Sequence, residues 1–262
     1  MKHLIKMIVS DLDGTLLRTD KTISGQTKTI LSECKKSGIK LAYATARGAS
    51  AEHITSAIPF DGKITMGGAT AKVDDKVIYK CLIPNLISRP LLVACNKYGL
   101  KVTSEIDGMH YTNYDVSGYE WVDDSYITVD FNHHSKDAEK IFLVGLTSEA
   151  ESFVKSQLPD SLYMVMAVAD DVDGFGMIMH KDATKSKAIA TLASVWGIDQ
   201  SEIAAFGNDL NDLDMLSYAG IGVAMENALD EVKAVADYIC LSNDEDGVAK
   251  WITSNWSHFA TV

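Results

Sequence analysis

Asp11 and Asp13 stand in a short polar segment, residues 10–15, directly after the apolar run 4–9. Three more polar clusters have the same character. Thr45 and Arg47 follow the apolar run 39–44, and Lys185 opens an amphipathic stretch. Asn208, Asp209, Asn211 and Asp212 follow the run 203–206. Carboxylates, a hydroxyl and an ammonium together suit phosphoryl transfer. That reaction needs a nucleophile, a metal to neutralise phosphate, and donors for its oxygens. Singly, each cluster has a plainer reading. Asp-x-Asp-Gly makes turns, Thr45 caps a helix, Lys185 is a solvated lysine, and residues 207–212 form an Asn/Asp-rich turn. An EF-hand is excluded, because its further ligands and closing Glu are absent.

For the clusters to converge, the elements before them must be neighbouring strands of one sheet. Residues 4–9, 39–44 and 63–66 read as buried strands. A helix begins after Ser24 as N-cap, buries Ile30, Leu31 and Cys34, and ends at Gly38. A second helix covers 49–57, and a strand covers 73–79. Near-continuous apolar strands alternating with helices predict an α/β fold with a Rossmann-like parallel sheet covered on both faces. Ligands gather at the carboxyl edge of such sheets. The middle of the chain differs, with helices near 86–98 and 148–157 and strands at 126–131 and 163–168. The α/β rhythm returns at Lys185, where Ala188, Ile189, Leu192 and Val195 share a helix face and Gly197 stops it. Strands at 203–206, 221–225 and 238–240 follow, with helices over 228–235 and from Val248. The expected organisation is a core of residues 1–83 and 181–262, with an inserted α+β domain at 84–180.

The chain has 262 residues, 47% hydrophobic, which is enough for a real core. A net charge of −12 argues against nucleic acid and anionic membranes as partners. The four cysteines, Cys34, Cys81, Cys95 and Cys240, form no CxxC pair, so neither a zinc site nor a redox motif is expected. The N-terminal apolar run is broken by Lys6 and is too short for a signal peptide or membrane span. The chain reads as cytoplasmic.

The segments Asp11-Leu12-Asp13-Gly14-Thr15-Leu16, Ala44-Thr45-Ala46-Arg47, Lys185, and Gly207 to Asp212 with Met215-Leu216 carry a resemblance in their order. The tail carries it too, in Gly222-Val223-Ala224-Met225-Glu226-Asn227-Ala228 and Asp244-Glu245-Asp246-Gly247-Val248-Ala249. Over nearly its whole length the chain resembles the haloacid dehalogenase (HAD) superfamily, in particular its Cof-type sugar-phosphatase-like branch with a large α/β cap of the C2B type.

The resemblance implies a Mg2+-dependent phosphatase acting on a small phosphorylated metabolite. Asp11 would be the nucleophile that forms an aspartyl-phosphate, and Asp13 the acid and base. Thr45 and Lys185 would hold phosphoryl oxygens, with Arg47 and Asn211 in the same pocket. Lys187 is the alternative to Lys185. The metal would take the Asp11 carboxylate, the Asp13 carbonyl and the 207–212 loop, through Asn208, Asp209 or Asp212. The inserted cap implies specificity residues, with His110, Asn132, His133, His134 and Asp173 as candidates. Three departures stand out. Asn208 replaces an aspartate frequent in relatives, Ala46 replaces the glycine of Thr-Gly-Arg, and Gly67-Gly68-Ala69 stands where Asn-Gly-Ala is frequent. The alternatives are a phosphosugar mutase of the phosphomannomutase type and a non-catalytic phosphometabolite sensor.

Overall fold

The computed structural model describes residues 4–48, 50–116, 126–169 and 172–259. It divides into two compact units. One comprises residues 1–80 and 184–262, the other residues 81–183.

The first unit begins with β1 (Met7–Ser10), α1 (Gly25–Lys36), β2 (Lys40–Ala44), α2 (Ser50–Thr55), β3 (Gly62–Thr65), β4 (Thr70–Val73) and β5 (Lys76–Lys80). The second unit runs α3 (Asn85–Lys97), β6 (Lys101–Ile106), β7 (Met109–Thr112), β8 (Tyr126–Thr128), β9 (Lys140–Val144), α4 (Ser148–Gln157), β10 (Leu162–Ala169) and β11 (Val172–His180). The chain then returns to the first unit with α5 (Lys185–Trp196), β12 (Ile203–Gly207), α6 (Leu213–Tyr218), β13 (Ile221–Ala224), α7 (Asp230–Val235), β14 (Tyr238–Ile239) and α8 (Gly247–Ser254).

The first unit holds an eight-stranded sheet in the order β14-β13-β12-β1-β2-β3-β4-β5. From β14 to β3 every pairing is parallel, and β4 and β5 add an antiparallel edge. β1 is buried along its whole length, as its apolar run requires. The chain leaves β1 toward β2 and β3 on one side and later returns to fill β12 and β13 on the other. Strand order therefore reverses at β1, and in open α/β sheets that reversal opens a crevice at the carboxyl ends of the strands.

Local chemistry sets the element ends. The Ser24 hydroxyl accepts the Thr27 N–H at the start of α1, and Thr184 accepts the Lys187 N–H at the start of α5. Gly197 ends α5 in the left-handed conformation. The expected strand at 73–79 is instead a hairpin. Asp74 and Asp75 both have positive φ, at 47° and 61°, and turn β4 into β5. Two such residues in a row give the backbone of a tight hairpin turn. The expected strand at 126–131 is also shorter, because the chain leaves β8 at Thr128 and Phe131 takes φ 65°.

The second unit has a six-stranded sheet, β10-β11-β9-β6-β7-β8, antiparallel except between β7 and β8. Helices α3 and α4 supply Leu91, Leu92, Cys95, Ala150 and Val154 to an apolar cluster with Val102, Ile141, Leu143 and Ile178 of the sheet. Among the described residues no helix is long and apolar enough to cross a membrane.

Candidate active site

The carboxyl ends of β1, β2 and β12 place three of the polar clusters together. Ser10 of β1 lies in register with Phe206 on one side and Tyr43 on the other, and the Asp11 N–H bonds to the Phe206 carbonyl. Asp11, Thr45 and the loop after Gly207 therefore emerge side by side.

Lys185 reaches the same point from the first turn of α5. Its ammonium donates to Asp11 Oδ1 at 2.7 Å and to Asp212 Oδ1 at 2.6 Å. All three side chains are buried, with Lys185 only 1% exposed and Asp212 fully enclosed. The other Asp212 oxygen accepts the main-chain N–H groups of Asn208 and Asp209 at 2.8 and 3.0 Å. Asp212 therefore shapes its own loop while it anchors the lysine. Gly207 makes room for it, since a Cβ there would lie 2.5 Å from the Asp212 Cβ.

Burial dominates the Asp11 carboxyl and pushes it up to about 7, with Lys185 pulling the other way and Asp212 adding to the rise. Burial alone would lower the Lys185 ammonium, but Asp11 and Asp212 outweigh it and hold the lysine charged.

Asp13 has different company. Arg47 grips it with Nε on Oδ2 at 2.5 Å and Nη2 on Oδ1 at 2.7 Å, and Lys21 Nζ adds a third contact at 3.0 Å. Partial burial would raise this carboxyl, yet Arg47 and Lys21 hold it below the usual carboxylate range. Ala46 in place of glycine does not prevent the Arg47 geometry. The Thr45 hydroxyl is buried and accepts the Arg47 N–H.

The loop between the two aspartates and Thr15 is clamped from outside. Thr15 Oγ1 donates to Asn208 Oδ1 at 2.8 Å, and Asn227 Nδ2 donates to the Gly14 carbonyl at 2.8 Å. Gly14 has φ 74°, and a Cβ on it would lie 2.6 Å from Asn208 Nδ2. Gly68, with φ 104°, similarly lets its loop pass against Thr184, next to Lys185.

The remaining loop residues do not join the cluster in the same way. The exposed Asp209 caps the following turn by accepting the Leu210 N–H, and Asn211 is exposed in that turn. Lys187 is exposed, whereas Lys185 is enclosed. Among the described residues no three His, Cys, Asp or Glu side chains converge as a metal cluster. Lys21 and Asn227 are site neighbours that sequence reasoning assigned no role. Asn227 belongs to the Gly222–Ala228 tail segment that carries the resemblance, while nothing in the sequence around Lys21 marks it.

The cap candidates are distributed through the second unit. His110 is buried across from Glu105, with Nε2 3.7 Å from Oε1. His133 and His134 line a cavity of about 230 Å3 with Tyr111 and Phe131. Asn132 is exposed and bonds to Asp130. The Asp173 side chain lies outside the described residues.

Comparisons with known proteins agree with this architecture. A family model described as haloacid dehalogenase-like hydrolase matches residues 8–252. A Bacillus subtilis 5-amino-6-(5-phospho-D-ribitylamino)uracil phosphatase is 26% identical over 259 residues, covering 95% of this chain and 94% of its own. A solved Bacteroides thetaiotaomicron phosphatase of the haloalkanoate (HAD) superfamily has 29% identity and a TM-score of 0.82, covering 96% of this chain and 95% of that one. A HAD subclass IIB sugar phosphatase has 28% identity and a TM-score of 0.79, covering 97% and 100%.

Proposed function

The chain belongs to the haloacid dehalogenase-like hydrolases, and from that premise we propose a Mg2+-dependent phosphatase that hydrolyses small phosphate monoesters through an aspartyl-phosphate on Asp11. The observation that carries this reading is the buried contact of Lys185 with Asp11 at the end of β1, where strand order reverses. The sugar phosphatase and the phosphoribitylaminouracil phosphatase among the relatives favour a polyhydroxylated leaving group. Residues 84–180 serve as the cap that carries specificity.

In this mechanism an Asp11 oxygen forms the new bond to phosphorus as the ester P–O bond breaks. Asp13 gives its proton to the leaving oxygen. It later takes one from the water that attacks the aspartyl-phosphate, which frees Asp11 and releases phosphate. The Thr45 hydroxyl and the Lys185 ammonium hold phosphoryl oxygens as charge builds. Asn211 and Arg47 line the substrate side. Arg47 and Lys21 favour ionised Asp13, so substrate entry must loosen that grip before Asp13 can act as an acid.

The donor chemistry fits magnesium. The Asp11 carboxylate, the Asp13 main-chain carbonyl and the Asn208 amide are hard oxygen donors, and magnesium commonly takes one or two carboxylates plus substrate phosphate and water. Asp212 is saturated by Lys185 and two amides, and Asp209 is committed to its turn. Asn208 abuts the Asp11–Thr15 loop, with its amide oxygen turned to the Thr15 hydroxyl, and on that position it is the proposed ligand from the loop. When bound, the cation would reduce repulsion between Asp11 and the phosphate dianion.

The test is phosphate release from a metabolite panel with magnesium, with EDTA, and with Asp11→Asn. Loss of release in the last two supports the reading. Equal activity of wild type and Asp11→Asn overturns it. Hexose phosphates that interconvert without free phosphate would assign the site to a mutase instead.

A further inference from the structure

The acidic groups around Asp11 are already matched by cations of the protein itself. Asp11 and Asp212 share Lys185, while Asp13 is held by Arg47 and Lys21. Three carboxylates thus face three cationic side chains. Inside the pocket the loop after β12 adds no further buried charge, since Asp209 is turned out to solvent. Its buried acid, Asp212, has both oxygens occupied, and Asp209 is exposed at a turn cap. The position that abuts the Asp11–Thr15 loop carries a neutral amide, Asn208, whose oxygen already accepts the Thr15 hydroxyl.

A divalent cation entering this pocket alone meets little net negative charge to repay its dehydration. A phosphoryl dianion entering alone meets Asp11 and little net positive charge. Entering together, their charges cancel. We propose that the free pocket holds magnesium only weakly because Asn208 is uncharged, and that cation and phosphoryl anion bind as a mutually dependent pair. This rests on the metal-dependent reading of the site given above. It goes beyond that reading by naming the residue that makes cation binding conditional on the anion.

The pairing is reciprocal. If phosphate tightens magnesium binding by some factor, magnesium must tighten phosphate binding by the same factor. A carboxylate at position 208 would supply the missing charge, and Asp keeps an oxygen to accept the Thr15 hydroxyl.

The test is calorimetric titration of the full chain with MgCl2, with and without saturating inorganic phosphate, and the reverse titration, on wild type and Asn208→Asp. The melting temperature of each protein without ligand checks folding. In wild type, phosphate should tighten magnesium binding by on the order of 10-fold or more, with the same factor in the reverse titration. In Asn208→Asp, magnesium alone should bind about 10-fold more tightly than in wild type, and the phosphate-dependent gain should shrink. Wild-type magnesium affinity that is the same with and without phosphate overturns the proposal, whether or not the variant folds. A folded Asn208→Asp with unchanged magnesium affinity overturns the role of Asn208. Failure of the phosphatase reading shows separately, as no substrate turnover in a protein that still binds the two ions together.

Discussion

Arg47 holds both carboxylate oxygens of Asp13, the residue two positions beyond Asp11, in a forked contact at 2.5 and 2.7 Å. A fork of this kind is specific to the planar guanidinium. It keeps Asp13 ionised in the free pocket, below the usual carboxylate range. In Arg47→Ala the Asp13 carboxyl should rise toward its ordinary value. The limb of the kcat/KM pH profile that belongs to Asp13 should then move to higher pH, and KM should rise. Arg47→Lys should shift the limb less, because an ammonium still attracts the carboxylate without forking it. A pH profile measured on all three proteins checks this, and an unmoved limb would detach Arg47 from Asp13 during turnover.

Asp11 makes a second pH statement. Its carboxyl lies at about 7 in the folded protein against an ordinary value of 3.8, chiefly through burial. Between those values the folded state binds more protons than the unfolded state. The stability contributed by Asp11 therefore falls as pH rises through that window. Asp11→Asn removes the titration. Its melting temperature relative to wild type should climb from about pH 4 to about pH 7 and then level off. Phosphate release by this variant should fall to background at every pH. A melting difference that stays flat with pH would remove the burial effect on Asp11.

Lys185→Met tests the buried pair directly. It leaves Asp11 and Asp212 enclosed without their shared cation. Removing one partner of a buried ion pair costs roughly 3–5 kcal/mol. Urea unfolding should show a loss of that order at neutral pH. The loss should shrink as the pH is lowered and the carboxyls protonate. Lys187→Met, at an exposed position on the same helix, should change stability by less than about 0.5 kcal/mol and leave turnover intact.

How far the site could be read from sequence depends on the range of the interactions that build it. β1 was legible because the apolar run 4–9, interrupted only at Lys6, must be buried, and the polar loop after it had to fall at the sheet edge. Lys185 and its alternative Lys187 lie two residues apart, and tertiary structure separates them by enclosing Lys185 against Asp11 and leaving Lys187 exposed. The Asp74-Asp75 turn was missed, because two aspartates at positive φ lack the glycine that usually marks such hairpins. Asp212 was grouped with Asn208 and Asp209 because all three share a loop. Only tertiary structure separates them, by turning Asp212 inward to Lys185 and Asp209 outward. Lys21 and Asn227 meet their partners at Asp13 and Gly14 through chain folding, which periodicity does not encode.

Gly207 offers the sharpest test of how the loop after β12 is set. Its missing side chain is the space that the Asp212 side chain occupies, and an added Cβ would lie within 2.5–2.8 Å of three Asp212 atoms. Asp212 cannot move aside without releasing Lys185 and the two amides it accepts. Gly207→Ala should therefore cost about 1–3 kcal/mol through overpacking. It should also lower kcat, since Lys185 loses the contact that aims it at Asp11. Gly25→Ala provides the comparison, because a Cβ there meets nothing within 4 Å. Its exposed place at the start of α1 should leave stability within about 0.5 kcal/mol of wild type. Urea unfolding and steady-state kinetics on the two variants decide the matter. If Gly207→Ala retains wild-type kcat, Asp212 does not aim Lys185.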